Sequence, residues 1–195
     1  DLATELRKAG LGLLGNLIGD GKAIACIEDT SVAIPDLPHY IADFTKIMKS
    51  YNQKAVYYAH AGAGELHLRP ILNLKTSQGV KEFKNISEDV AKLVKSYKGA
   101  LSGEHGDGRV RAPFTRLVVG EECYAVFNEI KHLFDPQNLF NPGKIVNPKP
   151  IDDVFSKAVF KMYLERIDNG KRFLIKEDID KLKVDELSID NQVNA

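Results

Sequence analysis

The stretch Ala55–Leu72, AVYYAHAGAGELHLRPIL, predicts the centre of the fold. Ala55–Tyr58 and Leu66–Leu72 are rich in β-branched, aromatic and other apolar residues typical of strands, and the glycines between them permit a sharp turn. We therefore expect a strand–turn–strand hairpin in which His60 and His67 can face each other across the turn.

The segments around the hairpin predict one further strand and several helices. An apolar run at Ala23–Ile27 predicts a strand, whereas apolar residues at helical spacing predict helices from Asp36 to Met48 and over Val80–Tyr97. Further helices are predicted at Arg109–Val118, interrupted by Pro113, and at Tyr124–Phe134. The order strand, helix, strand, strand, helix is typical of a split β-α-β unit. We therefore predict an α+β fold, a ferredoxin-like antiparallel sheet with helices packed on one face, plus a C-terminal helical segment.

The last part of the chain differs in composition from the rest. All eight prolines lie at or before Pro150, and Gly170 is the only glycine beyond it. Apolar residues at helical spacing between Phe155 and Tyr163 predict an amphipathic helix there. We therefore predict a domain at residues 1–149 and a helical appendage at residues 150–195.

The overall composition excludes some classes of function. The 27 basic residues equal the 27 acidic ones, so no net charge attracts nucleic acid, and we interpret Arg109, Arg111 and Arg116 as a solvated helix face. No apolar run is long enough to span a bilayer, and no signal peptide is recognisable.

Cys26 and Cys123 are too far apart for a redox motif and predict free thiols in a reducing cytoplasm. Because the chain starts with Asp and not Met, we expect a fragment.

A second glycine-containing stretch, SGEHGDGR at Ser102–Arg109, carries one more of the five histidines. Two imidazoles from the hairpin, His60 and His67, could share one metal ion with the carboxylate of Glu104 as third ligand. Such a set leaves coordination positions open for substrate, as catalytic sites do. Neighbouring His105 could serve as general base, since an imidazole exchanges protons near neutral pH.

The residues alone leave other interpretations open. A histidine in a strand is usually structural. The second stretch could instead form an anion-binding turn whose backbone N–H groups hold a phosphate. On the spacing of the residues, a metal site and a phosphate site are equally supported.

Several separated motifs occur in an order that resembles one known family. The motifs are Arg7-Lys8, Glu28-Asp29-Thr30, His60–His67, Ser102–Gly106, Lys131 through Phe134-Asp135-Pro136, and Asn141–Ile145. Over about residues 5–149 the chain resembles the C-terminal, substrate-side domain of FAD-linked oxidases of the vanillyl-alcohol oxidase superfamily, which includes D-lactate, glycolate and D-2-hydroxyglutarate dehydrogenases. The segment Arg109–Pro113 is similar to the large bacterial proteins that fuse this flavoenzyme to an iron–sulfur domain.

The resemblance implies that FAD and the substrate are bound by two separate domains. A separate N-terminal domain, absent from this chain, holds FAD, and no flavin-binding residue is assigned here. His60, His67 and Glu104 match the family's ligands for a divalent metal, usually zinc. His105 matches the residue that removes the substrate's hydroxyl proton while hydride passes to the flavin.

The resemblance also implies substrate contacts and shows two departures. Arg7 matches a residue that pairs with a substrate carboxylate. By hairpin register, Arg69 occupies a polar, substrate-facing position two residues beyond His67; a solvated strand arginine is the alternative for Arg69. Many relatives have Asp where Ala63 stands and Asn where Glu65 stands, so contacts within the hairpin are expected to differ.

We therefore expect the substrate- and metal-binding half of an FAD-dependent dehydrogenase for D-2-hydroxy acids, inactive alone because the FAD domain is missing. Its expected partners are a small 2-hydroxy acid, an FAD-binding domain or subunit, and an iron–sulfur electron acceptor, without nucleic acid or a membrane span. The expected location is the cytoplasm, peripheral to the inner membrane through the acceptor. The alternative is a non-catalytic metal- or ligand-binding module that docks on a separate flavoprotein chain.

Overall fold

A computed structural model describes residues 5, 10, 12, 14, 16–149, 153–168, 170 and 174–187. Its strands are β1 (Lys22–Ala23), β2 (Thr30–Ser31), β3 (Ala55–His60) and β4 (Glu65–Leu72). All pairings are antiparallel: β3 pairs along one edge of β4, while β1 and β2 pair with the two ends of its other edge. The predicted hairpin is confirmed, with a 3-10 turn at Ala61–Ala63 between its strands.

Six α-helices are present among the described residues. They are α1 (Leu37–Ser50), α2 (Ser77–Ser96), α3 (Gly108–Val119), α4 (Glu121–Phe134), α5 (Asp153–Ile167) and α6 (Lys176–Leu182), with short 3-10 turns at Ile34–Asp36 and Lys183–Asp185. The predicted interruption at Pro113 is wrong, because α3 continues through it. The proline ring removes one helical hydrogen bond, but Ala112 and Thr115 beside it are buried, and their packing holds the helix together.

The order of the strands in space is that of a ferredoxin-like sheet. Ala100 follows α2 and forms a bridge with Ser31, through N–H···O bonds of 2.9 and 2.8 Å. The lateral order is therefore Ala100, β2, β4, β3, whereas the chain visits β2, α1, β3, β4, α2 and Ala100 in turn. The predicted α+β class with an antiparallel sheet is confirmed.

The core lies between the sheet and helices α1 and α2. Leu66, Leu68 and Leu72 of β4 are at most 4% exposed and belong to the same cluster of buried residues as the apolar side chains of both helices. Aromatic contacts join the layers: the rings of Phe44 and Tyr57 meet edge to face at 5.5 Å. The helices thus cover one face of the sheet and leave the other face for polar residues.

The predicted strand at Ala23–Ile27 is only partly correct. β1 ends at Ala23, and the pairing with β4 resumes at Thr30. These two residues are seven positions apart in the sequence, whereas their partners in β4, Ile71 and Leu66, are only five positions apart. The intervening residues form a bulge in which Asp29 has a φ of +79°. Bulges of this kind redirect side chains beside functional sites.

The helices of the C-terminal part of the chain carry apolar surface. The helix α4 buries Tyr124, yet five of its large apolar side chains are exposed, namely Val126, Phe127, Ile130, Leu133 and Phe134. In α5 the predicted helix is confirmed. Among its described side chains Ser156 and Phe160 are buried, whereas Met162 and Tyr163 are more than 40% exposed. No helix in the described part of the chain has the length and apolarity needed to cross a bilayer.

Candidate metal and substrate site

The outer face of the hairpin carries the candidate site. Side chains alternate along a strand, so the pattern that sends Leu66 and Leu68 into the core sends Glu65, His67 and Arg69 to the opposite face. His67 is 5% exposed. His60 pairs in register with Glu65 and not with His67, so the two histidines are diagonal neighbours whose rings meet edge to face at 5.0 Å.

The loop between Leu101 and α3 brings Glu104 and His105 to this face. Oε1 of Glu104 lies 3.7 Å from Nε2 of His60, 3.9 Å from Nε2 of His67 and 3.3 Å from Nε2 of His105. His105 also stacks on His67, with 5.6 Å between the ring centres. The structure therefore brings together the three predicted metal ligands and the predicted general base.

The donor atoms of His60, His67 and Glu104 fit one divalent ion. Their ligand atoms lie within 4.8 Å of one another, and a tetrahedral zinc site needs separations of about 3.3 Å, so small side-chain movements suffice. Burial lowers the pKa of His67, with nearby His60 adding to the effect although Glu28 opposes it, and this favours the neutral imidazole that binds metals.

A buried carboxylate, that of Glu28, lies behind His67. Oε1 of Glu28 lies 3.4 Å from Nδ1 of His67, without the alignment of a hydrogen bond, and accepts one from the Tyr58 hydroxyl at 3.2 Å. Tyr58 also stacks on His67 at 4.9 Å. A carboxylate on the Nδ1 side leaves Nε2 free as a ligand, which is how metal-binding histidines are commonly held.

Arg69 is not a solvated strand arginine. Its side chain is 15% exposed, and Nη2 lies 2.6 Å from Oε2 of Glu28, whose side chain is 8% exposed. The guanidinium also lies 5.7 Å from the centre of the Tyr58 ring. Nε of Arg69 is buried without a hydrogen-bond partner in the described chain. The arginine therefore offers a positive charge beside His67, partly neutralised by Glu28.

Asp29 and Glu65 form a buried carboxyl pair beneath the loop. A hydrogen bond with Asp29, together with burial and the charge of Glu104, raises the pKa of Glu65 to about 7. Burial by itself would raise the pKa of Asp29, but hydrogen bonds from Glu65, Ser102 and two backbone N–H groups hold it well below its ordinary value. One proton is thus shared between the two carboxyl groups near neutral pH, which reduces the repulsion between them.

A second donor set, formed by Asp29, Glu104 and His105, is also compact. The carboxylate of Asp29 already accepts hydrogen bonds from the Ser102 hydroxyl and from the N–H groups of Glu104 and His105, so it fits a metal less well. The N–H of Gly103 donates to the Asp29 carbonyl at 2.7 Å. The N–H groups of Gly103, Glu104 and His105 are therefore all bonded to Asp29, so they are not free to bind an anion. The geometry therefore favours the metal interpretation over the phosphate interpretation.

Arg111 has a structural role that its sequence context does not predict, and the interpretation of this residue as part of a solvated helix face is wrong. Its guanidinium donates to the carbonyl of Glu28 at 2.8 Å and to that of Gly106 at 2.6 Å, so it ties the bulge to the loop. No role was assigned to Glu28 and Asp29 either, although two adjacent acids after an apolar run were a visible signal. Arg7 lies outside the described residues.

Comparison with known proteins gives two family matches. Residues 2–145 match the family described as "FAD linked oxidases, C-terminal domain", and residues 143–195 match "Tail specific protease N-terminal domain". The D-2-hydroxyglutarate dehydrogenase of Haemophilus influenzae is 43% identical over 143 residues, which are 73% of this chain and 14% of that protein. That of Escherichia coli is 42% identical over 153 residues, 78% of this chain and 15% of that protein.

A more distant relative shares the same part of the chain. The D-lactate dehydrogenase of Archaeoglobus fulgidus is 31% identical over 134 residues, 67% of this chain and 29% of that protein. The chain thus spans less than a third of the length of each of these relatives. Since the first family match covers most of the sequence and all the site residues in the described structure, the chain belongs to the FAD linked oxidases, C-terminal domain family.

Proposed function

We propose that this chain supplies the substrate- and metal-binding half of an FAD-dependent dehydrogenase for D-2-hydroxy acids. The observation that carries the proposal is the convergence of His60, His67 and Glu104, with His105 stacked beside them. Relatives named D-2-hydroxyglutarate and D-lactate dehydrogenase support the substrate class. Turnover requires a flavin held by another domain or subunit, so the chain alone is inactive.

His60, His67 and Glu104 are the residues that would hold a divalent ion, zinc by the nature of the donors. When bound, such an ion supplies positive charge that stabilises the hydroxyl and carboxylate oxygens of a 2-hydroxy acid. The Glu28 carboxylate lies on the Nδ1 side of His67, so a small rotation of either side chain would form the hydrogen bond that commonly holds a metal-binding histidine.

His105 accepts the hydroxyl proton of the substrate at its imidazole. The side chains of His60, Glu104 and His105 are nearly half exposed, so the site is open on the side from which a substrate and a flavin would approach. A flavin held by the other domain would supply the acceptor for the hydride of the α-carbon. Arg69 places a cation at the far side of His67, where it would attract a second substrate carboxylate, and Arg7 is a further carboxylate partner in this account.

The activity test uses the flavin-containing protein that carries this domain. Anaerobic flavin reduction by D-2-hydroxyglutarate and by D-lactate would be followed for wild type, His105→Asn and, as a matched control, His39→Asn on the exposed surface of α1. We expect His105→Asn to lower the rate at least about 100-fold, the usual cost of losing a general base, and His39→Asn to leave it unchanged. An unchanged rate in His105→Asn would contradict the assignment.

We further propose that residues 1–149 and 150–195 are separate units. The two family matches meet at residues 143–145, which supports a junction near there. Limited proteolysis should cut between 143 and 153 first, and the larger product should keep the metal affinity of the intact chain. Initial cleavage within β3 or β4 would contradict the division.

The electron acceptor and the location are also proposals. The similarity to the fused bacterial enzymes supports an iron–sulfur protein as the electron acceptor. Two free cysteines, buried Cys26 and exposed Cys123, support a cytoplasmic location. Reoxidation of the reduced flavoprotein by an iron–sulfur protein, measured by stopped flow, would test the acceptor; no electron transfer to any such protein would contradict it.

A further inference from the structure

We propose that Asp29 is a positioning residue that fixes Glu104 and His105 in place, and so sets the metal affinity of the site. The inference deepens the proposed function and rests on it. Asp29 lies in the bulge between β1 and β2, is fully buried, and contacts both halves of the candidate site.

The carboxylate of Asp29 accepts three hydrogen bonds from the loop. Its Oδ1 accepts the N–H of Glu104 at 2.9 Å, and its Oδ2 accepts the N–H of His105 at 2.8 Å and the hydroxyl of Ser102 at 2.5 Å. Hydrogen bonds to an ionised, buried acceptor are shorter and stronger than neutral ones. The candidate ligand and the candidate base are consecutive residues held by one carboxyl group.

The backbone of Asp29 joins the same loop to the central strand. Its N–H donates to the carbonyl of Leu66 at 2.9 Å, and its carbonyl accepts the N–H of Gly103 at 2.7 Å. Leu66 is adjacent to His67 in β4. Asp29 therefore connects the loop that carries Glu104 to the strand that carries His67, and so fixes the distance between these two candidate ligands.

The loop also packs closely around Gly103, so that a side chain there would have to push its neighbours aside by a few tenths of an ångström. A Cβ added there would lie 3.3 Å from Oδ1 of Asp29, 3.3 Å from Cβ of Ser31 and 3.4 Å from Cδ of Glu65. This close approach, together with the three hydrogen bonds, leaves the loop little freedom to move. The position of Glu104 is hence preorganised by contacts that never touch a metal or a substrate.

The left-handed backbone of Asp29 suggests a conservative variant. A φ of +79° is unfavourable for most residues, but Asn adopts this region readily, so Asp29→Asn retains the fold and the volume. It replaces one acceptor oxygen with an NH₂ group that faces donors. A matched control is Asp135→Asn, because Asp135 is also buried and also accepts two loop N–H groups, from Leu139 and Phe140, but belongs to no candidate donor set.

The test measures cobalt binding and amide exchange on the intact chain. The Co²⁺ dissociation constant would be obtained from visible absorption for wild type, Asp29→Asn and Asp135→Asn, and the exchange rates of the Glu104 and His105 N–H groups by NMR. We expect Asp29→Asn to weaken Co²⁺ binding about 10- to 100-fold and to speed exchange at both N–H groups. Asp135→Asn should lower the melting temperature but change the dissociation constant less than about threefold.

Two results would overturn the inference. One is unchanged exchange at Glu104 and His105 in Asp29→Asn, since the loop would then not be held by the carboxylate. The other is faster exchange with a dissociation constant within about threefold of wild type, because Asp29 would then hold the loop without setting ligand geometry. If the wild-type chain binds no Co²⁺, the metal assignment of the proposed function fails separately, and the exchange rates still decide whether Asp29 holds the loop.

Discussion

Along β4, Leu66 and Leu68 point into the core under α1 and α2, whereas Glu65, His67 and Arg69 point to the opposite face. Both sets are largely buried, but the first contacts apolar side chains and the second contacts carboxylates, imidazoles and the ring of Tyr58. Apolar contacts tolerate exchange among residues of similar size, whereas a polar network depends on each partner. One strand thus carries stability on one face and candidate chemistry on the other.

The largest effect is expected from Leu68→Ala on the core face. Leu68 is completely buried, so its truncation should lower the free energy of unfolding by about 2–5 kcal/mol. Urea denaturation measures the loss, and Leu139→Ala, at a residue 67% exposed, is the matched control with less than about 0.5 kcal/mol. Metal affinity of the folded fraction should not change. A weakened affinity in Leu68→Ala would show that the two faces are coupled.

A smaller loss is expected from Arg69→Met on the site face. This change leaves the buried carboxylate of Glu28 without its guanidinium partner and should cost about 3 kcal/mol. The double variant Glu28→Gln/Arg69→Met removes the uncompensated charge and should regain more than half of the loss, again by urea denaturation. If Arg69→Met costs less than about 0.5 kcal/mol, the pair is effectively solvated and the site face contributes nothing to folding.

Arg111→Lys tests the tie between the bulge and the loop. A lysine lacks the planar fork that reaches the carbonyls of Glu28 and Gly106 together, so we expect a loss of about 1–2 kcal/mol and faster amide exchange in the loop. Arg116→Lys, at an exposed arginine of the same helix, is the control and should change stability by less than about 0.5 kcal/mol. Equal effects in the two variants would show that Arg111 does not join the bulge to the loop.

Much of the fold follows from patterns that the sequence shows directly. The helical spacing of apolar residues predicts α1 and α2, and the glycines between two strand-like segments predict the hairpin, because burial of one face imposes those periods. The bulge at Asp29 was missed. The bulge arises because β1 and β2 pair with opposite ends of β4, and this constraint exists only once the sheet is assembled.

The site was predictable to a similar extent. His60, His67, Glu104 and His105 meet as expected, since histidine and glutamate among glycines are unusual for core or surface. The partners behind them were not predicted, because Glu28, Asp29 and Arg111 resemble ordinary charged residues until the fold buries them. The metal role of the first set stays a prediction.

The last stability prediction concerns pH. Glu65 has a pKa of about 7 in the folded chain against an ordinary value of 4.5, so the folded state binds more protons between these values and stability should fall as pH rises from 5 to 8. His67, with a lowered pKa, acts in the opposite direction below its ordinary value of 6.5, and the depressed pKa of Asp29 acts only at more acidic pH.

The difference between wild type and Glu65→Gln isolates the Glu65 contribution. The urea midpoint, measured with a chelator present, should fall with pH more steeply in wild type than in Glu65→Gln. Equal slopes would mean that Glu65 is ionised in the folded chain throughout this range, and the shared proton with Asp29 would be wrong.

The most direct test of the central claim is calorimetric titration of the purified, metal-free chain with Zn²⁺. Wild type should bind about one ion per chain, as should a control with two exposed histidines replaced, His39→Ala/His132→Ala, whereas His60→Ala/His67→Ala should lose the site. Zinc binding that is absent from wild type, or that survives in His60→Ala/His67→Ala, would contradict the proposal that the outer face of β4 is a metal centre.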